Sequence, residues 1–163
     1  MAIERPLRVY IDTSVIGGCL DDAFAQDSKR VFELALRKRL VLLLSEVVVA
    51  ETEPAPIQVK QILEDLPPEC TERVEITSEV ITLRDAYIHS GILSARWADD
   101  AAHVAAATVA HADAIVSWNF KHIVRLDRIK AYNQVNVALG YGPLTILSPR
   151  EVRYDDAAEI ENL

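Results

Sequence analysis

From Arg8 to Gly18 the chain reads Arg-Val-Tyr-Ile-Asp-Thr-Ser-Val-Ile-Gly-Gly. Val9, Tyr10 and Ile11 are β-branched or aromatic, the residue types that favour a strand. The run is uniformly apolar rather than alternating, so it predicts a central strand covered on both faces. Thr13-Ser14 supplies a helix N-cap signal, and Gly17-Gly18 follows closely. Asp12 therefore sits where a buried strand ends and a turn begins. In open parallel sheets that carboxyl edge is where ligands bind. An acid placed there is either a turn former or the first member of a functional site.

The rest of the chain alternates strands with helices. An amphipathic helix is expected over Ala25–Arg39, with Val31, Leu34, Ala35 and Leu36 on its apolar side, and a second central strand over Leu40–Leu44. Ser45 is expected to cap a helix that passes Val47, Val48 and Val49, reaches Glu51 and halts near Pro54 and Pro56. Helices follow at Ile57–Leu66 and from Thr77 or Ser78 to His89, with Gly91 as a stop. Between them lies a short strand at Arg73–Ile76. An alanine-rich helix over Trp97–His111 leads to a strand at Ala112–Ser117. A last helix at Arg125–Leu139 ends at Gly140, and Leu144–Leu147 makes a short final strand. This order predicts an α/β fold, a three-layer α/β/α sandwich with a central, mostly parallel sheet.

The 163 residues suit one domain, expected over residues 1–153, with an acidic tail at 154–163 that frays. The longest near-apolar run, Leu40–Ala50, is too short for a bilayer and contains Ser45 and Glu46. No signal-like segment precedes the first strand, so a cytoplasmic location with no membrane association is expected. Cys19 and Cys70 match no metal-ligand spacing and are read as reduced, buried thiols. The net charge of −8 argues against holding nucleic acid through a general positive field. Acids that carry a divalent cation would reverse that sign locally.

Four places put an acid or amide just after a strand or near a helix start: Asp12, Glu51, the pair Asp99-Asp100, and Asn119. Parallel strands bring such positions to one edge. Three carboxylates gathered in a partly buried site raise one another's pKa, a penalty that a divalent cation removes. An all-oxygen ligand set selects Mg²⁺ or Mn²⁺ over zinc. Such an ion deprotonates water for attack on a phosphodiester.

The segments Ile11-Asp12-Thr13-Ser14, Glu51, Asp100-Ala101-Ala102-His103-Val104-Ala105 and Ile115-Val116-Ser117-Trp118-Asn119-Phe120-Lys121-His122-Ile123 resemble the PIN domain, in the right order over about residues 7 to 150. The resemblance implies a metal-dependent endoribonuclease, of which the VapC-like toxins of toxin–antitoxin pairs are one group. It implies RNA as substrate, a protein antitoxin and a homodimer as partners, and Mg²⁺ or Mn²⁺ as cofactor. By the same resemblance Asp12, Glu51 and Asp100 are the metal-holding acids, and Ser14 orients the first of them. Asn119 stands where many members place a fourth acid. An amide there brings no charge and serves to place water or a second ion.

Each residue also has a plainer reading. Asp12 can simply cap the turn, and Ser14 is most simply an N-cap. Glu51 competes with Glu46 and Glu53 on the same helix. Asp99 and Asp100 point about 100° apart on a helix, and Asp100 shares a face with His103 and Ala107. Asp100 is therefore preferred, with Asp99 in an outer or capping role. His103 is expected to be partly buried and bonded to an acid or carbonyl, ahead of a role as general base. His111 and His122 are expected at the surface. Lys121 and Arg125 are candidate phosphate contacts beside Asn119, against the alternative of a solvated helix face. Phe120 is expected in the core, and Trp118 is open between packing and base stacking. The main alternative function is a weakened PIN-fold module that binds RNA or protein without cutting. A phosphotransfer enzyme fits poorly. One such class wants a second aspartate where Ser14 stands, and another wants paired acids before its phosphorylated aspartate.

Overall fold

The computed structural model of the chain describes residues 5–154. The acidic tail after Tyr154 lies outside the described residues. Strand β1 (Leu7–Ile11) runs into a short helix α1 (Thr13–Gly18), followed by α2 (Ala25–Leu36), β2 (Leu40–Ser45), α3 (Glu46–Thr52) and α4 (Ile57–Glu64). Then come β3 (Thr71–Val74), α5 (Ser78–His89), α6 (Ala98–Val109), β4 (Ala114–Val116), α7 (Leu126–Ala138) and β5 (Ile146–Leu147). The strands form one parallel sheet in the order β3-β2-β1-β4-β5, flanked by helices. This is the expected three-layer α/β/α arrangement. β1 is the middle strand, and the chain passes to β2 on one side of it and later to β4 on the other. That change of direction opens the ligand-binding crevice of such sheets beside β1.

The apolar strands are buried on both faces, as their continuous hydrophobicity requires. Tyr10, Ile11, Leu42, Leu43 and Ile115 have no exposed surface. Helix α6 packs against β2, β4 and α5. Its whole run from Ala101 to Thr108 is buried, because alanines let it sit close to neighbours on every side. Behind it, the Tyr87 hydroxyl donates to Asn136 Oδ1, and Asn136 Nδ2 donates to Thr108 Oγ1 (3.2 Å), tying α5, α6 and α7 together. At the amino edge of the sheet, Arg8 donates to both carboxylate oxygens of Glu72 (2.9 and 2.6 Å) and to the Ala110 carbonyl (2.9 Å). The Arg8 guanidinium holds the Glu72 carboxyl below its ordinary value.

Element boundaries move by a few residues from expectation. The third strand is Thr71–Val74 rather than Arg73–Ile76, since Thr71–Val74 pairs with Leu42–Ser45 of β2. Thr77 does cap α5, its side chain accepting from the Val80 amide (3.3 Å). Gly91 and Gly140 follow their helices with φ of +80° and +89°, the left-handed stop that glycine permits. Ser14 is not an N-cap: it lies inside α1, whose N-cap position is Asp12.

Gly18 has a packing reason. A Cβ there would meet Ser28 Oγ at 2.4 Å and Trp118 Nε1 at 2.7 Å, whereas at Gly17 nothing lies within 4 Å. Gly18→Ala is therefore expected to cost about 1–3 kcal/mol by overpacking. Gly17→Ala is expected to stabilise by up to about 1 kcal/mol through helix propensity. Urea unfolding of the two variants checks the contrast.

Candidate active site

The site is built outward from Asp12, which is 4% exposed. Ile11 pairs with Val116, so the residues that follow them, Asp12 and Ser117, emerge side by side at the carboxyl edge. Ser117 Oγ donates to Asp12 Oδ2 (2.5 Å) and Ser14 Oγ donates to Asp12 Oδ1 (2.5 Å). Ser14 Oγ in turn accepts from the Trp118 amide (2.9 Å), and Ser117 Oγ accepts from the Asn119 amide (2.9 Å). Both carboxylate oxygens are thus aimed by hydroxyls that the backbone after β4 holds in place.

A second set of bonds brings α6 to the same edge. The Tyr10 hydroxyl lies 2.6 Å from Ser45 Oγ and 2.7 Å from His103 Nδ1, all within the core. His103 Nε2–H donates to Glu51 Oε1 (2.5 Å). Ser45 thus occupies the N-cap position of α3 without capping it through its side chain, because its hydroxyl faces Tyr10. His103 is bonded to an acid as expected, but at 2% exposed it is fully rather than partly buried.

The electrostatics follow from burial. Desolvation pushes the Asp12 carboxyl above its ordinary value and Glu51 adds to the rise, against the His103 charge and the two serine bonds. Burial pulls the His103 imidazole down, but the Glu51 hydrogen bond and the charges of Asp12, Glu51 and Asp100 outweigh it and raise its pKa. The charged form of His103 is thus favoured by three acids, of which Glu51 bonds it directly. Asp99 lines an open groove of about 380 Å³ together with Glu51, and with Glu46, Val47, Ala50 and Ile76.

The remaining candidates are placed differently. Asn119 Oδ1 accepts from the His122 amide (2.9 Å) and so caps the turn after β4. Arg125 is paired with Asp127 (2.7 Å), and Lys121 stands exposed over the Trp97 ring, 5.1 Å from its centroid. Trp118 is buried: its indole N–H donates to Ser28 Oγ (2.8 Å) and its ring stacks on Phe24 at 4.2 Å. Two expectations are corrected. Phe120 is 45% exposed rather than in the core, because Trp118 already fills the space beside Phe24 and Gly18. His122 is 7% exposed rather than at the surface, because its ring lies under Trp97 at 4.5 Å. His111 is exposed, as expected. Sequence reasoning missed the roles of Ser117 and Tyr10. The signal for Ser117 was its position at the end of β4, next to the β1 end.

A parallel α/β sheet that delivers a buried aspartate to its switch point, with the His103–Glu51 pair beside it, defines an open-sheet ligand site. Over residues 8–121 the chain matches the PIN domain, and it belongs to that family. Family members are generally nucleases that use divalent metals. Among curated proteins no sequence matches the chain closely enough to count as a relative. Solved structures that share the fold include the following three. VapBC2 from Rickettsia felis, bound to a DNA fragment from its promoter, has a TM-score of 0.55 at 13% identity, covering 87% of this chain and 98% of that one. FitAB bound to an IR36 DNA fragment has a TM-score of 0.55 at 12% identity, covering 91% and 99%. VapC20 of Mycobacterium tuberculosis, a toxin that cleaves the sarcin–ricin loop, has a TM-score of 0.50 at 14% identity, covering 83% and 98%.

The raised Asp12 pKa has a consequence for stability. A carboxyl whose folded pKa lies above its ordinary 3.8 favours folding when protonated, and that contribution is lost as pH rises through the folded value. Asp12→Asn, measured in EDTA, is expected to unfold at a higher temperature than the parent near neutral pH. The gain should vanish below pH 3.8, and thermal unfolding across pH checks both limits.

Proposed function

We propose that this PIN domain is a metal-dependent endoribonuclease acting in the cytoplasm, with Asp12, Glu51 and Asp100 as its ion-holding acids. The observation that carries the reading is the geometry of the edge, where Asp12 is buried and aimed by two serines and His103 bonds Glu51. The donor set fits a hard divalent cation: it offers carboxylate oxygens, whose mutual repulsion a double positive charge offsets. Among the described residues no three ligating side chains already converge on one point. Loading is therefore expected to draw Glu51 away from His103.

A bound Mg²⁺ or Mn²⁺ would neutralise phosphate charge and make water acidic enough to attack near neutral pH. The chain's own residues do the positioning. Ser14 and Ser117 fix the Asp12 carboxylate. His103, anchored by Tyr10, holds Glu51 close to the edge before an ion is bound. Asn119 shapes the turn that carries Ser117 and Lys121, and its amide is the group we assign to placing water.

The fold neighbours VapBC2 and FitAB support a wider reading as the toxin of a toxin–antitoxin pair. That reading adds a protein antitoxin and a second copy of this chain as partners. Among the described residues no helix is long and apolar enough to cross a membrane. A second reading, a module that binds RNA or protein without cutting, is favoured by one observation: Asn119 stands in a capping role and contributes no charge.

Incubation of mixed transfer RNA and single-stranded RNA with Mn²⁺, Mg²⁺ or EDTA separates the two. Cleavage that needs metal and is abolished in Asp12→Asn is expected. Ser14→Ala and Ser117→Ala, which keep the acids but lose their orientation, should cost about 10- to 100-fold. Activity that appears only in Asn119→Asp would mean a site tuned down by its amide. Uncut but bound RNA in every lane would favour the binding module.

A further inference from the structure

Trp97 closes a short turn, Ala95–Trp97, immediately before α6 and three residues ahead of Asp100. Its ring is half-buried, with the His122 imidazole against it at 4.5 Å and a 34° tilt. The Arg96 guanidinium stands over the same ring at 5.0 Å and the Lys121 ammonium at 5.1 Å. Arg96 and Lys121 are both exposed, and neither has an ion pair among the described residues. Arg125, by contrast, has its charge taken up by Asp127.

His122 supplies an independent observation. It is 7% exposed, yet neither ring nitrogen has a hydrogen-bond partner. A buried imidazole left without partners is a group that a ligand or a bridging water completes. It is joined to the edge of the sheet, since its amide donates to Asn119 Oδ1. An aromatic face flanked by exposed cations is the arrangement that single strands use, with the base on the ring and the phosphate on the cation. Bases in an A-form duplex are already stacked on one another and cannot use such a face.

We propose that Trp97, with Arg96, Lys121 and His122, forms a subsite for one unpaired RNA nucleotide beside the acid cluster. This rests on the reading that the cluster cuts RNA, and it names the substrate as single-stranded at that position. The base stacks on the indole and the two cations swing out to the flanking phosphates, while the His122 ring backs the indole from beneath. Trp97 is here a positioning residue for the strand.

The test is fluorescence-anisotropy binding of a labelled single-stranded RNA in EDTA, followed by cleavage of the same RNA once Mn²⁺ is added. Trp97→Leu is expected to weaken binding by about 5- to 100-fold, and Trp97→Phe to restore most of it. Arg96→Gln with Lys121→Gln should flatten the salt dependence by about two phosphate contacts. With Mn²⁺ present, Trp97→Leu should raise KM while changing kcat little. Binding within twofold of the parent in Trp97→Leu overturns the subsite, as does loss that appears only in Phe120→Leu; continued cleavage in either case leaves the nuclease reading intact. Binding that depends on Trp97 with no cleavage on adding Mn²⁺ upholds the subsite and sinks the nuclease.

Discussion

A carboxylate buried at the end of the central strand is costly to desolvate, and much of the carboxyl edge is arranged around that cost. Asp12 receives two hydroxyl donors, and each hydroxyl is itself fixed by an amide of the segment after β4. The register of β1 against β4 makes this possible, because it sets Asp12 beside Ser117. The two edges of the sheet contrast. At the amino edge Glu72 is matched by the Arg8 guanidinium, a structural ion pair. At the carboxyl edge Glu51 is bonded by the His103 imidazole, and Asp12 is held by two serine hydroxyls with no cation of its own.

Helix α6 serves this arrangement through its small residues. Bulky side chains between Ala101 and Ala107 would hold the helix off the sheet. With alanines it comes close enough for His103 to bond Tyr10 on β1 and Glu51 on α3 at once. Asp100 is carried in by the same helix, one turn before His103. Sequence composition in α6 thus acts on electrostatics through packing distance. The β1 side of the same contact is Tyr10, whose hydroxyl bonds both Ser45 and His103 from the middle of the sheet.

The strands and the layer order were legible because continuous apolar runs at 9–11, 40–44 and 114–116 admit few other placements. Acids and amides at strand ends were legible as candidates for the same reason. β3 was displaced by two residues because its short run has weak polarity contrast, and pairing with β2 sets the register instead. Of the aromatic residues after β4, the sequence places Phe120 wrongly and leaves Trp118 open. Trp118 goes inward and Phe120 outward because the space left by Gly18 fits an indole that can donate to Ser28. No period or propensity encodes that choice. His122 was misread because what covers it, Trp97, lies 25 positions earlier in the chain.

The central claim is that a buried, serine-oriented aspartate gathers the other acids into one cation site. Counting bound Mn²⁺ by electron paramagnetic resonance tests it without reference to catalysis. The account predicts saturable binding in the parent, abolished in Asp12→Asn and weakened about 10- to 100-fold in Ser117→Ala. Binding that Asp12→Asn leaves unchanged, or the absence of any saturable site in the parent, would contradict it.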